Sequence, residues 1–354
     1  MASPDPSLEI LRTLAPGTAL RNAVELILRQ SSGALVVLGY NPEIEDMCSG
    51  GFHLNGADFS PARLAELAKM DGAVIADEAA EVIYRANVHL LPDPSIPTSE
   101  TGTRHRTAER VASQTGQPVI VVSEGRSTVT VYQGHGKYEL RSPTALLAQA
   151  NQNLLTLERF RRRLTEVENR LTQLEVDDIV TYRDVVLVML RAALVRRIAA
   201  DLQHYTVELG GEGNLIRIQL TDLIAGVPST AQQVYADYSR TYPPGEPKPL
   251  ELVADLDSAH LSDPARVAAQ LDLGPLDSHA RPRGYRILNR IPRLPDAVKD
   301  SLVDRFGNLQ ALLVASVADL DDVEGVGRTR ARQLRHYFDR LLDTSRTTWT
   351  EDEE

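Results

Sequence analysis

A heptad pattern of apolar residues in the middle of the chain is the feature that most restricts how it can fold. The pattern has spacings of three and four residues, and its members are Leu157, Phe160, Leu164, Val167, Leu171 and Leu174. Such spacing predicts a long helix with a narrow apolar stripe that must be buried. A second apolar helix, predicted over residues 184–202, is one candidate partner. A helical bundle within the chain and a seam between copies of the chain therefore both stay open.

The first 145 residues have a different character, because short apolar runs alternate with helical patterns. Strands are predicted at residues 34–39, 72–76, 118–122 and 127–132. One helix is predicted after Thr18, and another from Ser60 and Pro61 through residue 69, where serine is a good N-cap and proline a good first helical residue. This mixture predicts an α/β or α+β domain with a mixed sheet at its centre.

Length and texture together predict several domains. A chain of 354 residues is long enough for two or three of them. We place an α/β domain at residues 1–145, an all-helical spine at 146–280, a small helical domain at 281–345 and an acidic tail at 346–354. Three glycines at 210, 211 and 213 interrupt the helical region, and residues 242–249, with four prolines, are predicted to form a loop or linker.

Composition excludes several classes of protein. Charged residues make up 25% and hydrophobic residues 42%, which excludes wholesale disorder. The longest apolar stretch, at residues 185–195, is too short to span a bilayer, and no secretory signal is recognisable. A single cysteine, Cys48, fits a reducing compartment. We therefore expect a cytoplasmic protein without a membrane partner.

Charge is unevenly distributed along the chain. The net charge is −11, but residues 281–340 contain twelve basic and eight acidic side chains, so this segment carries +4 and the remainder −15. A locally basic segment in an acidic protein predicts a separate module that contacts phosphates.

The basic segment contains an internal repeat. The sequence Val323-Glu324-Gly325-Val326-Gly327 lies between two predicted helices, and Ile291-Pro292-Arg293-Leu294-Pro295 occupies the same position 32 residues earlier. The later copy resembles the helix-hairpin-helix motif of DNA repair proteins, in which two glycines allow backbone amides to face one phosphate. A tandem helix-hairpin-helix domain is thus predicted, with DNA contacts from Gly325, Gly327, Arg328 and Arg330. A packing hairpin without a DNA role is the alternative.

The strongest chemical signal lies in the first domain. Asp71 and Gly72 open a predicted strand, and the string Thr101-Gly102-Thr103-Arg104-His105-Arg106-Thr107 leads into a helix predicted over residues 107–114. Arginines and hydroxyls around a helix N-terminus are suited to binding polyphosphate. Asp71 is a candidate metal ligand or base. The alternative is a set of surface side chains that merely cap a helix.

These two motifs resemble the signatures of diadenylate cyclase domains. Asp71-Gly72-Ala73 is similar to one signature and Arg104-His105-Arg106 to the other. The run from Leu90 to Arg110, followed by a helical region and a hairpin end, resembles the bacterial DNA integrity scanning proteins over essentially the whole chain. The first hairpin departs from the motif, since it lacks both glycines.

The resemblance implies that two ATP molecules condense to cyclic di-AMP with release of two pyrophosphates. Two domains would face each other, so the active unit would be at least a dimer, and in this family an octamer. The implied catalytic residues are Asp71, Arg104, His105 and Arg106, with Mg²⁺ or Mn²⁺ held by Asp71. The implied ATP-binding residues are Gly72, Leu90, Thr103, Arg104, His105, Arg106 and Thr107, with Ser123 and Glu124 as weaker candidates.

The overall expectation is an enzyme whose cyclic di-AMP output responds to branched or damaged DNA, bound without sequence preference. The alternative is a DNA-scanning scaffold whose cyclase domain binds nucleotide without converting it. Cys48 is expected to be an ordinary thiol and His89 a structural or surface residue.

Overall fold

The computed structural model describes residues 8–240, 248–254, 256 and 263–351, with side chains described as far as residue 343. The chain divides into two compact units. One comprises residues up to 152 together with 202–218, and the other comprises 153–201 together with residues from 219 onward. The predicted division into three domains and a tail remains a prediction.

The first unit is built from helices packed on a sheet. The helices that precede residue 143 are α1 (Leu8–Thr13), α2 (Ala19–Arg29), α3 (Pro42–Met47), α4 (Pro61–Leu67) and α5 (Thr103–Thr115). Its strands are β1 (Ala34–Leu38), β2 (Cys48–Ser49), β3 (Phe52–Asp58), β4 (Ala73–Ala76), β5 (Val82–Leu90), β6 (Val119–Ser123), β7 (Thr128–Gln133) and β8 (Gly136–Leu140).

The strands form one mixed sheet. Its order is β2-β5-β4-β1-β6-β7-β8, and β3 pairs with a different part of β5 than β2 does. β1 and β4 are parallel, whereas the other pairs are antiparallel. The predicted mixed sheet is therefore confirmed.

Both faces of the sheet are covered. From β1, Val36 and Leu38 enter a core with α2 and α4, whereas Val37 enters a second core with Val111 and Ala112 of α5. A central strand buried on both faces needs apolar residues at every position, which is why β1 reads as a continuous apolar run. Helix α5 thus lies on one face, and α2 and α4 on the other.

The rest of the chain is mostly helical. Long helices α6 (Pro143–Val176) and α7 (Tyr182–Leu209) are followed by a short 3₁₀ turn at Gly210–Gly213, α8 (Asn214–Ile224), α9 (Val227–Tyr238), α10 (Pro249–Leu252) and α11 (Pro264–Gln270). The heptad falls within α6 as predicted. Leu157, Leu164 and Leu171 are buried within the chain, while the intervening heptad positions are half-buried.

The basic segment folds into five helices around its own core: α12 (Tyr285–Asn289), α13 (Asp296–Phe306), α14 (Leu309–Val314), α15 (Val317–Asp321) and α16 (Gly327–Glu351). The two repeat copies link α12 to α13 and α15 to α16. Arg293 and Gly325 occupy equivalent positions in the copies and both have left-handed backbones, with φ of 61° and 81°. The two hairpins therefore share this feature of the turn, even though the first one lacks glycine.

Several predicted boundaries need correction. Helix α5 begins at Thr103, four residues before the predicted start, because its polar first turn carries no apolar periodicity. Helix α16 continues to Glu351, so much of the predicted tail has a helical backbone. Residues 241–247, most of the predicted loop or linker, lie outside the described residues, as do 352–354. No helix in the described part of the chain combines the length and apolar character that crossing a bilayer would require.

Candidate nucleotide site and its relatives

One edge of the sheet collects the predicted site residues. Register pairs Ala34 with Val122 and Ala73 with Val88, so the amino ends of β1 and β4 lie beside the carboxyl ends of β6 and β5. Asp71 and Gly72 immediately precede β4, Leu90 ends β5, and Ser123 ends β6. Glu124 follows in the turn after β6. Residues far apart in sequence are therefore brought to the same edge.

Asp71 and Arg104 form the central contact of this edge. A guanidinium Nη2 of Arg104 donates to Oδ1 of Asp71 at 3.3 Å. The Asp71 side chain is fully exposed, and that of Arg104 is 38% exposed. Because the ion pair is exposed to solvent, it contributes little to stability. The same exposure leaves both charged groups accessible to a ligand.

Two glycines make room at this edge, each for a different neighbour. A Cβ at Gly72 would lie 2.2 Å from the carbonyl carbon of Asn87 on β5, and the Gly72 amide donates to Oδ1 of Asn87 at 3.1 Å. A Cβ at Gly33, just before β1, would lie 2.1 Å from Nη1 of Arg104. Gly72 therefore permits close packing of β4 on β5, and Gly33 permits the observed position of the Arg104 guanidinium.

Thr103, Arg104, His105 and Arg106 form the first turn of α5. Its N-cap is Gly102, which has no side chain to satisfy the first backbone amides. Thr103 and Arg106 are exposed, and Thr107 is half-buried. Unsatisfied amides beside two arginines favour an anion at this helix end.

The segment before α5 is anchored along that helix. Glu109 accepts hydrogen bonds from the Thr98 hydroxyl and, at 3.1 Å, from the Ser99 amide. Arg110 donates to the Ile96 carbonyl at 2.9 Å, and Gln114 accepts from the Asp93 amide at 3.0 Å. Side chains from successive turns of α5 thus hold the proline-rich loop in place. These contacts join residues 10–21 apart in sequence, so periodicity does not reveal them.

His105 belongs to a hydrogen-bonded group that the sequence did not identify. Its Nδ1 lies 2.8 Å from the Tyr132 hydroxyl, which donates to Oε1 of Glu100 at 2.8 Å, and Lys137 also donates to Glu100. Partial burial lowers the pKa of His105, which favours the neutral imidazole. Burial and the bond to Glu100 raise the pKa of Tyr132, so its phenol stays protonated.

Two further residues from the sequence analysis lie nearby. Cys48 pairs with Leu90, and Ser49 pairs with His89, where β2 meets the carboxyl end of β5. Burial raises the pKa of the half-buried Cys48 thiol, which decreases the thiolate fraction and hence the reactivity. The His89 side chain is exposed.

The donor set for a divalent ion is sparse. Among the described residues, no group of three or more His, Cys, Asp or Glu side chains is arranged to hold a metal. Asp71 offers a single exposed carboxylate. Mg²⁺ is commonly bound by one or two carboxylates together with substrate phosphates and water, so this donor set fits an ion that arrives with a nucleotide.

Comparison with known proteins decides the family. Residues 21–137 match a family model described as DAC, the DisA bacterial checkpoint controller nucleotide-binding region, and residues 140–278 match the DisA checkpoint controller linker region. "DNA integrity scanning protein DisA" of Kineococcus radiotolerans is 49% identical over 97% of both chains. Its counterpart from Acidothermus cellulolyticus is 48% identical over 95% of this chain and 93% of that protein. The chain belongs to the DisA family.

Membership of the DisA family indicates which reaction the N-terminal domain belongs to. The DAC match contains the whole sheet edge described above, from Gly33 to Lys137. The N-terminal domain of this DisA family member is a diadenylate cyclase domain. The linker match covers α6 to α11. The basic segment at residues 281–340, called the hairpin segment from here on, lies outside both family models but is covered by the full-length relatives.

The arginines in the hairpin segment of this DisA family member fall into two groups, some exposed to solvent and others hydrogen-bonded to the backbone. Arg328 and Arg332 are exposed at the start of α16. Arg330 donates to the Gly325 carbonyl, and Arg335 donates to the Leu313 and Ala315 carbonyls at 2.7 and 2.8 Å. Arg335 therefore fixes the end of α14, and Arg328 is the more available of the predicted contact residues.

Proposed function

We propose that the protein condenses two ATP molecules into cyclic di-AMP and two pyrophosphates at the sheet edge bearing Asp71 and Arg104. In each half-reaction a ribose 3′-oxygen would attack the α-phosphorus of the other ATP. The new phosphodiester bond forms as the bond to the departing pyrophosphate breaks. The observation that carries the proposal is the 3.3 Å contact between Asp71 and Arg104, two motif residues 33 positions apart, beside an uncapped helix N-terminus.

Each part of the edge has a role in this proposal. The α5 amides with Thr103, Arg104, Arg106 and Thr107 would bind the triphosphate, because these groups are donors or cations around one helix end. Gly72 and Leu90 would border the adenosine. Asp71 would hold Mg²⁺ or Mn²⁺, which neutralises phosphate charge and favours deprotonation of the 3′-hydroxyl. Ser123 and Glu124 remain candidate contacts at the same edge.

The product requires a second copy of the site. Cyclic di-AMP contains two equivalent phosphodiester bonds, while one chain contributes one Asp71 and one Arg104-containing helix end. We therefore infer that two domains face each other during the reaction, so the active protein is at least a dimer. The octamer of the family and a cytoplasmic location are further parts of this proposal.

The cyclase proposal is tested with the purified full-length protein. It is incubated with ATP and Mg²⁺ or Mn²⁺, and products are identified by mass-resolved chromatography. Asp71→Asn is expected to abolish cyclic di-AMP formation, because the amide binds a divalent ion weakly. Asp222→Asn, at an exposed carboxylate on α8, is the matched control and should retain activity. ATP that binds without conversion under both metals would favour the DNA-scanning scaffold instead.

The second part of the proposal is sequence-independent DNA binding by a tandem helix-hairpin-helix domain. Support comes from two pairs of helices joined by short turns 32 residues apart. Each turn has a left-handed backbone at the equivalent position, Arg293 in the first and Gly325 in the second, and Arg293 and Arg328 are exposed. Backbone amides at Gly325 and Gly327 would face a phosphate, with Arg328 reinforcing the contact. Arg330 would act by fixing the hairpin, through its bond to the Gly325 carbonyl.

Coupling between the two functions is the last part of the proposal. We expect branched DNA bound at the hairpins to lower cyclic di-AMP production, an expectation motivated by both sites occurring in one chain. The measurement is the initial rate with increasing four-way junction, with linear duplex as the comparison. An unchanged rate at a junction concentration that saturates binding would contradict the coupling.

A further inference from the structure

Tyr132, Glu100 and Lys137 form a hydrogen-bonded group that ends on His105. The Tyr132 oxygen lies 2.8 Å from His105 Nδ1 and 2.8 Å from Oε1 of Glu100, and Lys137 donates to the same carboxylate oxygen. The Glu100 side chain is 13% exposed, and the Tyr132 residue is 1% exposed. Of these three residues outside the two signature motifs, Tyr132 contacts His105 directly, Glu100 acts through Tyr132, and Lys137 acts through Glu100.

The direction of these hydrogen bonds follows from the chemistry of the groups. Burial acts to raise the pKa of Glu100, but the hydrogen bonds from Lys137 and Tyr132 together with the charge of Lys137 and the interaction with His105 outweigh it, and the pKa is lowered. Glu100 is therefore a carboxylate, which can only accept. The single Tyr132 proton points to Glu100, so the Tyr132 oxygen can only accept from His105. His105 must then carry its proton on Nδ1.

With the proton on Nδ1, the other ring nitrogen of His105, Nε2, is unprotonated. In a neutral imidazole with a proton on Nδ1, Nε2 carries the lone pair. Among the described residues, none forms a hydrogen bond with His105 Nε2. His105 lies in the first turn of α5, between the arginines of the phosphate-binding motif.

We propose that Tyr132 and Glu100 are positioning residues that fix the His105 ring and its Nδ1–H tautomer, so that His105 presents an acceptor to the bound ATP. His105 is thus not a third cation beside Arg104 and Arg106. The inference rests on the proposed cyclase function and deepens it, since it assigns roles to side chains outside both motifs.

The structure supplies a variant that separates this role from packing. Tyr132→Phe retains the buried ring and removes only the hydroxyl that contacts His105 and Glu100. Tyr138→Phe is the matched control, because Tyr138 on the adjacent strand β8 also donates to a carboxylate, that of Glu208, at 2.6 Å. Both variants lose one tyrosine–carboxylate hydrogen bond, and only the first loses the contact with His105.

Kinetics of the full-length protein give the first measurement. Loss of a hydrogen-bond partner that orients a metal-ligating residue typically costs about 10–100-fold in activity, and for the comparable orienting role of Tyr132 we expect a loss of kcat of the same order in Tyr132→Phe. The KM for ATP should change little, because the phosphate-binding arginines remain. Tyr138→Phe should retain the wild-type kcat. Equal kcat values for the two variants would overturn the proposal.

Nitrogen NMR gives a measurement that does not depend on activity. Full-length protein labelled with ¹⁵N at histidine is sedimented and studied by solid-state NMR, and His105→Gln assigns the His105 signals. The wild type should show protonated Nδ1 and unprotonated Nε2, and Tyr132→Phe should populate the Nε2–H form. An unchanged tautomer in Tyr132→Phe would overturn the proposal, even if kcat falls.

A second variant covers the case in which Tyr132→Phe does not fold. Glu100→Gln preserves size but can donate as well as accept, so the tyrosine proton is no longer committed. We expect a mixture of His105 tautomers and a smaller loss of kcat than in Tyr132→Phe. Wild-type signals with wild-type kcat would count against the proposal. A wild-type protein that makes no cyclic di-AMP would refute the proposed function instead, while the NMR result would still test the hydrogen-bond direction.

Discussion

Gly33 and Gly72 precede the two parallel strands, and each lies where a methyl group would meet a different kind of neighbour. At Gly72 the obstacle is the backbone of β5, which cannot move without disturbing the sheet. At Gly33 the two nearest atoms belong to the end of the Arg104 side chain, which can move away, and the Val122 carbonyl oxygen at 3.3 Å would need to shift by only a few tenths of an ångström. The same substitution should therefore affect stability at one position and activity at the other.

Gly72→Ala is expected to destabilise the fold. Overpacking in a well-packed region typically costs about 1–3 kcal/mol, and the backbone contact at 2.2 Å places this change at the upper end. The midpoint of urea unfolding, followed by circular dichroism, measures the loss. Gly211→Ala serves as control, because a Cβ there has nothing within 4 Å. Equal stability of the two variants would contradict the packing role of Gly72.

Gly33→Ala is expected to reduce activity with little effect on unfolding. The added methyl would displace the Arg104 guanidinium from its position beside Asp71. In the proposed site, a hydrogen bond from Arg104 to a charged ATP phosphate would be worth about 1.5–3 kcal/mol, so its loss should lower kcat/KM by roughly 10–100-fold. The measurement is the rate of cyclic di-AMP formation across ATP concentrations. Wild-type kcat/KM in a folded Gly33→Ala protein would remove Gly33 from the site.

At the scale of elements, continuous apolar strands and capped helices could be predicted from the sequence. β1 and β4 are apolar at nearly every position, and α2 and α4 have the caps Thr18 and Ser60. β5 was missed because bulges interrupt its pairing and Asn87 has a φ of 54°, so its side chains do not alternate regularly. The start of α5 was missed because its first turn is polar and uncapped.

Some residues of the candidate site could be predicted from the sequence, and others could not. Asp71, Gly72 and the residues from Thr103 to Thr107 are contiguous in two motifs, so local sequence identified them. Gly33, Glu100 and Tyr132 join the edge only through pairing of β1, β6 and β7 and through the loop anchored on α5. Such long-range contacts leave no periodic pattern in a single sequence.

A buried cluster links α6, α9 and α12 within the second unit. Asp237 at the end of α9 accepts from the amides of Gly284, Tyr285 and Arg286, and so caps α12. Glu175 on α6 lies 3.3 Å from Arg286 and accepts from the Tyr238 hydroxyl at 2.7 Å. The hairpin segment is thus joined to the linker helices by charged groups that are almost fully buried.

This cluster should make stability depend on pH. Burial raises the pKa of Glu175 from 4.5 to about 7, although Arg286 acts in the opposite direction. Between these values the folded state binds more protons than the unfolded state, so stability falls as the pH rises from about 4.5 to about 7. The contribution is at most about 3 kcal/mol, since each pKa unit corresponds to 1.36 kcal/mol.

Unfolding of wild type and Glu175→Gln at pH 5 and pH 7.5 measures this contribution. The neutral amide cannot titrate, so wild type should lose stability relative to the variant as the pH rises. Glu166→Gln, an exposed position on the same helix, should follow the wild-type pH dependence. A constant difference between wild type and Glu175→Gln would contradict the raised pKa.

At the scale of the whole molecule, charge sets the conditions for the proposed DNA contact. The chain carries −11 overall and +4 over residues 281–340, so long-range repulsion opposes a local attraction. Exposed Asp321, Asp322 and Glu324 also adjoin the second hairpin. Release of counterions from DNA would have to supply much of the affinity, and salt weakens that contribution steeply.

Affinity for a four-way junction should therefore fall as the salt concentration rises from 50 to 200 mM. The logarithm of the binding constant should fall linearly with the logarithm of the salt concentration, with a slope set by the number of phosphate contacts. Arg328→Gln should reduce the magnitude of this slope by about 1, as expected for loss of one phosphate contact. Arg29→Gln is the matched control, because Arg29 is 76% exposed but lies on α2, outside the basic segment. Fluorescence anisotropy with labelled junctions measures both. An unchanged slope in Arg328→Gln would move the phosphate contact to the first hairpin, where Arg293 would be the next residue to replace.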